Sequence, residues 1–257
     1  MAHIEEIDVR IEDRVAWVTI DRAHRMNALA KSTFQRLVDV SLSLDLDPSV
    51  RVVVYRGAGT RAFSAGVDLK ELDAEGSMAH PMGGANRNLN EVVLEMSKPT
   101  IAAINGVAAG GGCELALACD IRLAASTARI GLPEAKVGMG ANFGSVVLPL
   151  LIPRGAALEA LFSGELLTAT DAYRLGLINH VFEPDDLIGQ TLRLARKIAA
   201  NAPLSVQRMK AVASKSVGLP VSAALRLSVG PNPYDSEDRK EGARAFLEKR
   251  QPNFLGR

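Results

Sequence analysis

The chain has 257 residues, of which 47% are hydrophobic and 23% are charged, so it holds enough apolar material for one large packed domain. Lys and Arg together number 30 and Asp and Glu 29, and this near-balance favours neither a nucleic-acid partner nor an anionic membrane. No apolar run is long enough to cross a bilayer.

The amino terminus, MAHIEEIDVR, lacks an apolar signal core, and we therefore expect a cytoplasmic protein. Both cysteines, Cys113 and Cys119, fall in one predicted helix, six residues apart, so no disulfide is expected. Free apolar cysteines suit a reducing compartment. The four histidines are scattered without metal-ligand spacing, so we expect no metal site.

The first part of the chain alternates predicted strands and helices. VAWVTI (15–20) is β-branched and apolar, which is typical of a strand. Ser32 with Gln35 predicts a capping box at the start of a helix that Pro48 ends. The run RVVVYRG (51–57) predicts a strand buried on both faces.

The next elements follow the same alternation. We expect, in order, a loop over 74–85, a helix near 87–97, and strands at 99–106, 121–125 and 128–131.

The pattern becomes mostly helical after about residue 144. Thr168 with Asp171 predicts a helix cap, and INHVF (178–182) reads as the last strand. Only helices are predicted from Asp185 onward. We therefore expect an α/β core over residues 1–200 and a helical C-terminal region over residues 201–257.

Known glycine-rich motifs are only partly matched. GAGTRA (57–62) resembles a dinucleotide fingerprint, but no helix pattern begins after it, so a strand-to-loop turn is the better interpretation. Ser64 lacks the first glycine of a nucleophile elbow. Cys113 is interpreted as core packing rather than as a nucleophile.

Two glycine-centred turns carry the functional hypothesis. In NGVAAGGGCEL (105–115) three glycines precede an apolar helix, whose first N–H groups lack internal partners and whose dipole is positive there. AFSAGVDLK (62–70) is a second such turn after a buried strand. If the turns converge, two N–H groups can bind one oxygen as an oxyanion hole.

Two carboxylates complete the candidate site. Glu114 lies among apolar neighbours in a helix that is predicted to be buried all round, and a buried carboxylate must be paired, neutralised or functional. Glu134, after Pro133, marks the start of a later segment. If the two carboxylates meet, one can act as a base while the other acts as an acid.

With these residues in view, the sequence resembles the crotonase superfamily, and within it the enoyl-CoA hydratases. The resemblance covers essentially the whole chain. Its motifs are RMNAL (25–29), AFSAGVDLKEL (62–72), KPTIAAINGVAAGGGCELALACDIRLA (98–124), LPEAKVG (132–138), the stretch from Gly164 to Gly176, and EDRKEGARAFLEKRQPNF (237–254).

The resemblance implies a crotonase-type spiral of ββα units in the α/β class, with a C-terminal helical region that packs trimers, often paired into hexamers. It implies an acyl-CoA substrate, reversible syn hydration of a 2-enoyl-CoA to a 3-hydroxyacyl-CoA, and neither a metal nor a separate cofactor. Val67 and Gly111 would supply the oxyanion-hole N–H groups, and Glu114 and Glu134 the acid–base pair. The CoA-binding residues would be Arg25, Ala65, Gly66, Asp68, Leu69 and Lys70.

One segment departs from the hydratase pattern. GMGANFGSV (138–146) stands where hydratases carry a segment close to GxxPGxGGT, near the acyl end of the substrate. Phe143 would narrow the acyl pocket, or Asn142 would hydrogen-bond an acyl substituent.

Several alternatives therefore stay open. The LPEAK motif and the closing EKRxPxFxGR also resemble carnitinyl-CoA dehydratases, which carry the same glutamate pair. An enoyl-CoA isomerase usually keeps one of the two acids. A non-catalytic acyl-CoA-binding protein is a fourth interpretation, and the retention of both Glu114 and Glu134 argues against it.

Overall fold

A computed structural model describes residues 6–71 and 87–257, so the predicted loop over 74–85 lies outside the described residues. The strands are β1 (Ile7–Glu12), β2 (Val15–Ile20), β3 (Val52–Gly57), β4 (Ala62–Ser64), β5 (Thr100–Ile104), β6 (Val107–Ala109), β7 (Ile121–Ala125), β8 (Arg129–Gly131), β9 (Leu167–Thr168) and β10 (His180–Phe182).

The helices are α1 (Lys31–Leu46), α2 (Leu89–Glu95), α3 (Gly111–Ala118), α4 (Asn142–Leu151), α5 (Arg154–Ser163), α6 (Ala169–Arg174), α7 (Leu187–Ala199), α8 (Pro203–Lys215), α9 (Val221–Ala224) and α10 (Glu237–Glu248). Short 3-10 helices cover Ala23–Arg25 and Pro133–Val137.

Two sheets organise the core. The larger has the strand order β1-β2-β3-β5-β7-β10 and is parallel except for the antiparallel β1–β2 pair. Its central strands are apolar and buried, and α7 packs across β2, β3, β5 and β7. The smaller sheet has the order β4-β6-β8-β9.

From β3 to β8, successive strands belong alternately to the larger and the smaller sheet, and this alternation forms the spiral. In three successive turns a strand of the larger sheet is followed by a strand of the smaller one: β3 and β4, β5 and β6, then β7 and β8. The α/β class and the ββα spiral are therefore confirmed.

Helix α3 is held tightly at both ends. A Cβ atom on Gly112 would overlap the Ser64 carbonyl oxygen at the end of β4, so only glycine permits this approach. At the other end, the buried Arg122 donates through Nη1 to Cys119 O at 2.6 Å and through Nε to Leu177 O at 2.7 Å. The helix therefore has little freedom to shift within the core.

Most of the predicted elements are confirmed, and two local predictions are wrong. Ser32 does not cap α1, because the helix has already begun at Lys31 and the Ser32 hydroxyl donates to Glu6 Oε2 at 3.2 Å. The sequence also predicts a last helix over 236–250 with Lys249 and Arg250 in its final turn, but α10 ends at Glu248 and Lys249 adopts a left-handed conformation. The Thr168 cap is confirmed, since its hydroxyl accepts the Asp171 N–H at 3.1 Å.

The C-terminal helices lie at the surface. Helix α8 has no buried residue, and several of the large apolar side chains beyond residue 200 are more than 60% exposed: Met209, Val217, Val221, Leu225, Tyr234, Phe246 and Leu247. Lys210 ties α8 to the core, since its Nζ lies 2.7 Å from Asp120 Oδ2 and 2.9 Å from Lys98 O. The division at residue 200 stays a prediction.

Candidate active site

The segment over residues 65–70 is held against the RMNAL segment by backbone hydrogen bonds. The Leu29 N–H donates to Gly66 O at 2.7 Å, and the Asp68 N–H donates to Leu29 O at 3.0 Å. In this parallel pairing the residue between the two bonds turns its own N–H away from the partner strand. The Val67 N–H therefore points away from Leu29.

The start of α3 lies beside this segment. Gly66 has φ +89°, and a Cβ atom there would lie 3.0 Å from Gly111 N. A Cβ atom on Gly111 would in turn lie 3.8 Å from Val67 N. The structure thus brings the two predicted N–H donors together, at a helix end whose dipole is positive.

A buried asparagine that the sequence analysis missed holds the RMNAL turn. Asn27 is fully buried and has φ +54°, a left-handed conformation that Asn tolerates better than most residues. Its side chain accepts the Arg22 N–H at 3.0 Å and donates to Ala62 O at 2.7 Å and to Ala58 O at 3.0 Å. These bonds join the turn to β4, which leads into the Gly66 segment.

The Asp68 side chain points inward, into an ion pair. Arg22 Nη2 lies 3.1 Å and Arg25 Nη1 3.6 Å from Asp68 Oδ2, and the Asp68 side chain is only 6% exposed. Burial raises the pKa of Asp68, but the Arg22 hydrogen bond and the charges of Arg22 and Arg25 outweigh it and lower the pKa below its ordinary value. Asp68 is thus an anchor for the segment, and Arg22 was not predicted.

Of the other predicted CoA-binding residues, Gly66 is buried and the remaining four are more accessible. Ala65, Leu69 and Lys70 are exposed, and the Arg25 side chain is 43% exposed. Ala65, Leu69 and Lys70 are therefore accessible to solvent on the same segment as Val67.

Glu114 is half-buried and carries hydrogen bonds on both carboxylate oxygens. Gly144, in the first turn of α4, donates its N–H to Oε1 at 2.9 Å, and Asn90 on α2 donates Nδ2–H to Oε2 at 3.3 Å. Burial raises the pKa of Glu114 above its ordinary value, while the N–H groups of Gly144 and Phe143 and the Asn90 amide limit the rise.

Glu134 has different surroundings. Its Oε2 is buried and has no hydrogen-bond partner among the described residues, and its Oε1 would lie 3.3 Å from a Cβ atom on Gly110. Burial raises the pKa of Glu134, and the negative charge of Glu114 raises it further. The two carboxylates therefore interact, and burial raises the pKa of both above the ordinary value.

Cys113 lies beside both glutamates but is not suited to act as a nucleophile. Burial, together with the charges of Glu134 and Glu114, raises the pKa of this thiol well above its ordinary value. Since the thiolate is the reactive form, a fully buried neutral thiol is a poor nucleophile.

A partly open, mainly apolar cavity of about 260 Å³ adjoins Glu134. Its walls include Leu132, Leu158, Leu161, Phe162 and Met139. Its walls next to the carboxylate are mostly aliphatic.

Asn142 and Phe143 begin helix α4 and do not line this cavity. The Asn142 side chain donates to Gly140 O at 3.2 Å, and the Phe143 ring is buried in the core, with 5% exposed. Their predicted acyl-pocket roles stay predictions. The described residues contain no cluster of His, Cys, Asp and Glu suited to a metal ion, and no helix among them has the length and apolarity to cross a bilayer.

The fold and this arrangement define an enzyme of the crotonase superfamily. A profile of the enoyl-CoA hydratase/isomerase family matches residues 10–257, and the chain belongs to that family.

Three comparisons show how closely its relatives correspond. The crotonyl-CoA hydratase of Syntrophomonas wolfei subsp. wolfei is 35% identical, over 98% of this chain and 99% of its own length. The carnitinyl-CoA dehydratase of Citrobacter koseri is 37% identical, over 93% of this chain and 94% of its own. The crystal structure of an enoyl-CoA hydratase from Mycobacterium tuberculosis H37Rv superposes with a TM-score of 0.88 at 35% identity, covering 98% of this chain and 99% of that one.

Proposed function

We propose that this enzyme adds water reversibly, in the syn sense, across the double bond of a 2-enoyl-CoA and so forms a 3-hydroxyacyl-CoA. The observation that carries the proposal is the contrast between two interacting carboxylates. Both carboxylate oxygens of Glu114 accept hydrogen bonds from N–H groups. The Oε2 atom of Glu134, in contrast, is buried and has no hydrogen-bond partner among the described residues. N–H donors favour the ionised form, and a desolvated oxygen beside a negative charge favours the protonated form.

The thioester carbonyl would lie between the Val67 and Gly111 N–H groups. Attack of water at C3 moves negative charge through the conjugated system onto this carbonyl oxygen, which becomes an enolate. Donors that are already in place stabilise that charge without reorganisation, and one such donor is worth roughly 3–4 kcal/mol in the transition state.

The proton transfers are then divided between the two glutamates. Ionised Glu114 accepts a proton from the water as its oxygen bonds to C3, and protonated Glu134 donates a proton to C2 as the enolate collapses. The products are a 3-hydroxyacyl-CoA, a neutral Glu114 and an ionised Glu134, and exchange of one proton with solvent restores the starting pair. Every group used belongs to the chain or to the substrate, so the steps require no separate cofactor.

The remainder of the substrate would extend in two directions. The acyl tail would enter the cavity beside Glu134, which is walled by Leu158, Leu161 and Phe162. The CoA moiety would lie along Ala65, Gly66, Leu69 and Lys70, with Arg25 and Lys70 close to its phosphates and Asp68 holding the segment in place.

The assembly is a further part of the proposal. Phe246 and Leu247 are adjacent on α10 and more than 80% exposed, and Met209 is 64% exposed on α8. Large exposed apolar surface favours association, and we propose a homotrimer or a pair of trimers packed through the region over 201–257. The cytoplasmic location stays a prediction.

A dehydratase acting on a carnitinyl-CoA-like substrate is the second candidate. Dehydration is the reverse of the proposed reaction, and the same pair of glutamates serves both directions. The sequence similarity to the carnitinyl-CoA dehydratase of Citrobacter koseri favours including it.

The test is a spectrophotometric assay that follows loss of the conjugated thioester absorbance with crotonyl-CoA and longer 2-enoyl-CoAs. We expect turnover that Glu114→Gln abolishes and that the surface variant Glu165→Gln retains. If no chain length is consumed while acyl-CoA still binds, simple hydration is excluded. The assay is then repeated with carnitinyl-CoA, where the absorbance should appear instead.

A further inference from the structure

Asn90 is a polar residue on the buried and otherwise apolar face of a short helix. Helix α2 begins with a reciprocal capping box in which Asn88 and Glu91 bond each other's backbone N–H. Its inward face consists of Leu89, Asn90, Val92 and Val93, and Asn90 is only 5% exposed. Leucine would fit the pattern of this face, so packing alone does not explain an amide there.

The nitrogen and the oxygen of the Asn90 side-chain amide differ in their hydrogen bonding. Nδ2 donates to Glu114 Oε2 at 3.3 Å, whereas Oδ1 is buried and has no hydrogen-bond partner among the described residues. An unpaired buried carbonyl oxygen costs free energy, and a packed core would normally not retain it. The contact that the amide does make is with the carboxylate of the proposed base.

We propose that Asn90 is a positioning residue for the hydration reaction, which fixes the Glu114 carboxylate from the side opposite Gly144 and favours its ionised form. This inference rests on the proposed function. Gly144 bonds Oε1 and Asn90 bonds Oε2, so the carboxylate is restrained at both oxygens. If the Asn90 amide were flipped, its Oδ1 would face the negative Glu114 Oε2 and repel it. The ionised form of Glu114 and the observed orientation of the Asn90 amide therefore stabilise each other.

The other groups around Glu114 do not replace this contact. Among the described residues, the titratable groups that interact with Glu114 are Glu134, which faces it from the 3-10 helix over Pro133–Val137, and Cys113 on its own helix. Helix α4 contributes backbone N–H groups and has no charged side chain. Asn90 is therefore the side-chain donor on Glu114 among these residues.

The test measures the Glu114 carboxyl directly, independently of turnover. Protein carrying glutamate labelled with ¹³C at the carboxyl carbon is titrated by NMR, and the Glu114 signal is assigned by its loss in Glu114→Gln. We compare the wild type with Asn90→Leu, which keeps the shape of the side chain, with Asn90→Asp, and with Glu91→Ala. The last removes half of the capping box on the same helix without touching Glu114.

We expect the pKa of Glu114 to rise by about half a unit to one unit in Asn90→Leu. It should rise further in Asn90→Asp, because a second carboxylate is added, and stay unchanged in Glu91→Ala. With crotonyl-CoA, Asn90→Leu should lower kcat about tenfold with less than about a threefold change in KM. An unchanged pKa in Asn90→Leu, or an equal rise in Glu91→Ala, would overturn the proposal.

The outcomes also separate this inference from the function on which it rests. If the wild type hydrates crotonyl-CoA and Asn90→Leu leaves both the pKa and kcat unchanged, the role of Asn90 alone fails. If the pKa series appears as expected but the wild type consumes no enoyl-CoA, the Asn90–Glu114 link stands and the proposed hydration fails.

Discussion

Gly144 donates its backbone N–H to Glu114 Oε1 at 2.9 Å, so the first turn of α4 is directed at a carboxylate on α3. Glu114 also lies in the first turn of its own helix. Two positive helix ends therefore act on one negative group. This arrangement explains how a buried carboxylate remains available as a base.

Replacing Glu134 by Gln tests its role as the acid. Because glutamine cannot donate a proton to C2, we expect kcat with crotonyl-CoA to fall by about 10²–10⁴-fold. Affinity for a saturated acyl-CoA, measured by calorimetry, should stay nearly unchanged. Glu165→Gln is the matched control, since Glu165 is exposed and paired with Lys136. Near-normal turnover in Glu134→Gln would contradict the assignment.

The same variant should be more stable than the wild type at neutral pH. The folded-state pKa of Glu134 lies above its unfolded value of about 4.5, so the native state binds the proton more tightly. Stability is then lost as pH rises from 4.5 through the folded pKa, because over that range the unfolded state releases the proton while the native state retains it. The Glu134→Gln variant has no carboxyl group at this position, so this pH-dependent loss of stability is absent from it.

Urea unfolding at pH 4 and pH 7 measures the difference. We expect Glu134→Gln to exceed the wild type in free energy of unfolding at pH 7, and the difference to shrink at pH 4, where both states bind the proton. A variant less stable than the wild type at pH 7 would show that the Glu134 carboxylate is not disfavoured by its surroundings.

Alanine substitutions at the neighbouring Gly111 and Gly112 should have different effects: the first should lower activity and the second should lower stability. A methyl group on Gly111 meets only ordinary contacts, 3.6 Å from Phe34 Cζ and 3.8 Å from Val67 N, so the fold should survive. The methyl group would occupy space beside the paired N–H groups, and we expect kcat/KM to fall at least about tenfold. On Gly112 it would overlap the Ser64 carbonyl and cost about 1–3 kcal/mol of stability.

Thermal melting and steady-state kinetics on both variants check this contrast. A stable Gly111→Ala variant with full activity would remove Gly111 from the proposed oxyanion hole.

The Arg22–Asp68 pair should matter for stability far more than a surface pair. Arg22→Met removes the nearer cation from the buried Asp68 carboxylate, which keeps the more distant Arg25 and the Lys70 N–H, and it also removes the Arg22–Glu6 ion pair. Breaking a buried pair typically costs about 3–5 kcal/mol. Arg10→Met removes an exposed pair with Asp8 and should cost less than about 1 kcal/mol. Urea unfolding measures both. Equal, small effects would mean that Asp68 does not anchor the 65–70 segment.

Local patterns predicted the central strands and the proposed catalytic glutamates. The apolar runs of β2, β3 and β5 are long enough to be recognised, and the resemblance supplied the roles of Glu114 and Glu134. Strand β1 was missed although IDVRIE alternates apolar and charged residues. Strands β4, β6 and β9 were missed as well, and their two or three residues give little periodicity to recognise. Ser32 and Gln35 match the capping-box motif, but no side chain caps α1. Asn88 and Glu91 form a capping box at the start of α2.

Long-range pairings account for the rest. Arg22 meets Asp68 46 residues away, and Asn90 meets Glu114 24 residues away. A single sequence shows polar residues at these positions but does not state which of them meet. Asn27 left a weak local signal, because Asn tolerates the left-handed conformation, but its contacts with Ala58 and Ala62 depend on the fold.

The division of labour between the glutamates is the central claim, and one measurement tests it most directly. Butyryl-CoA has no double bond to hydrate, yet its C2 proton can exchange with D₂O through the enolate, a step that needs the oxyanion hole and Glu134 but no water activated by Glu114. Exchange followed by ¹H NMR should persist in Glu114→Gln and be lost in Glu134→Gln. Exchange that persists in Glu134→Gln and is lost in Glu114→Gln would contradict the account.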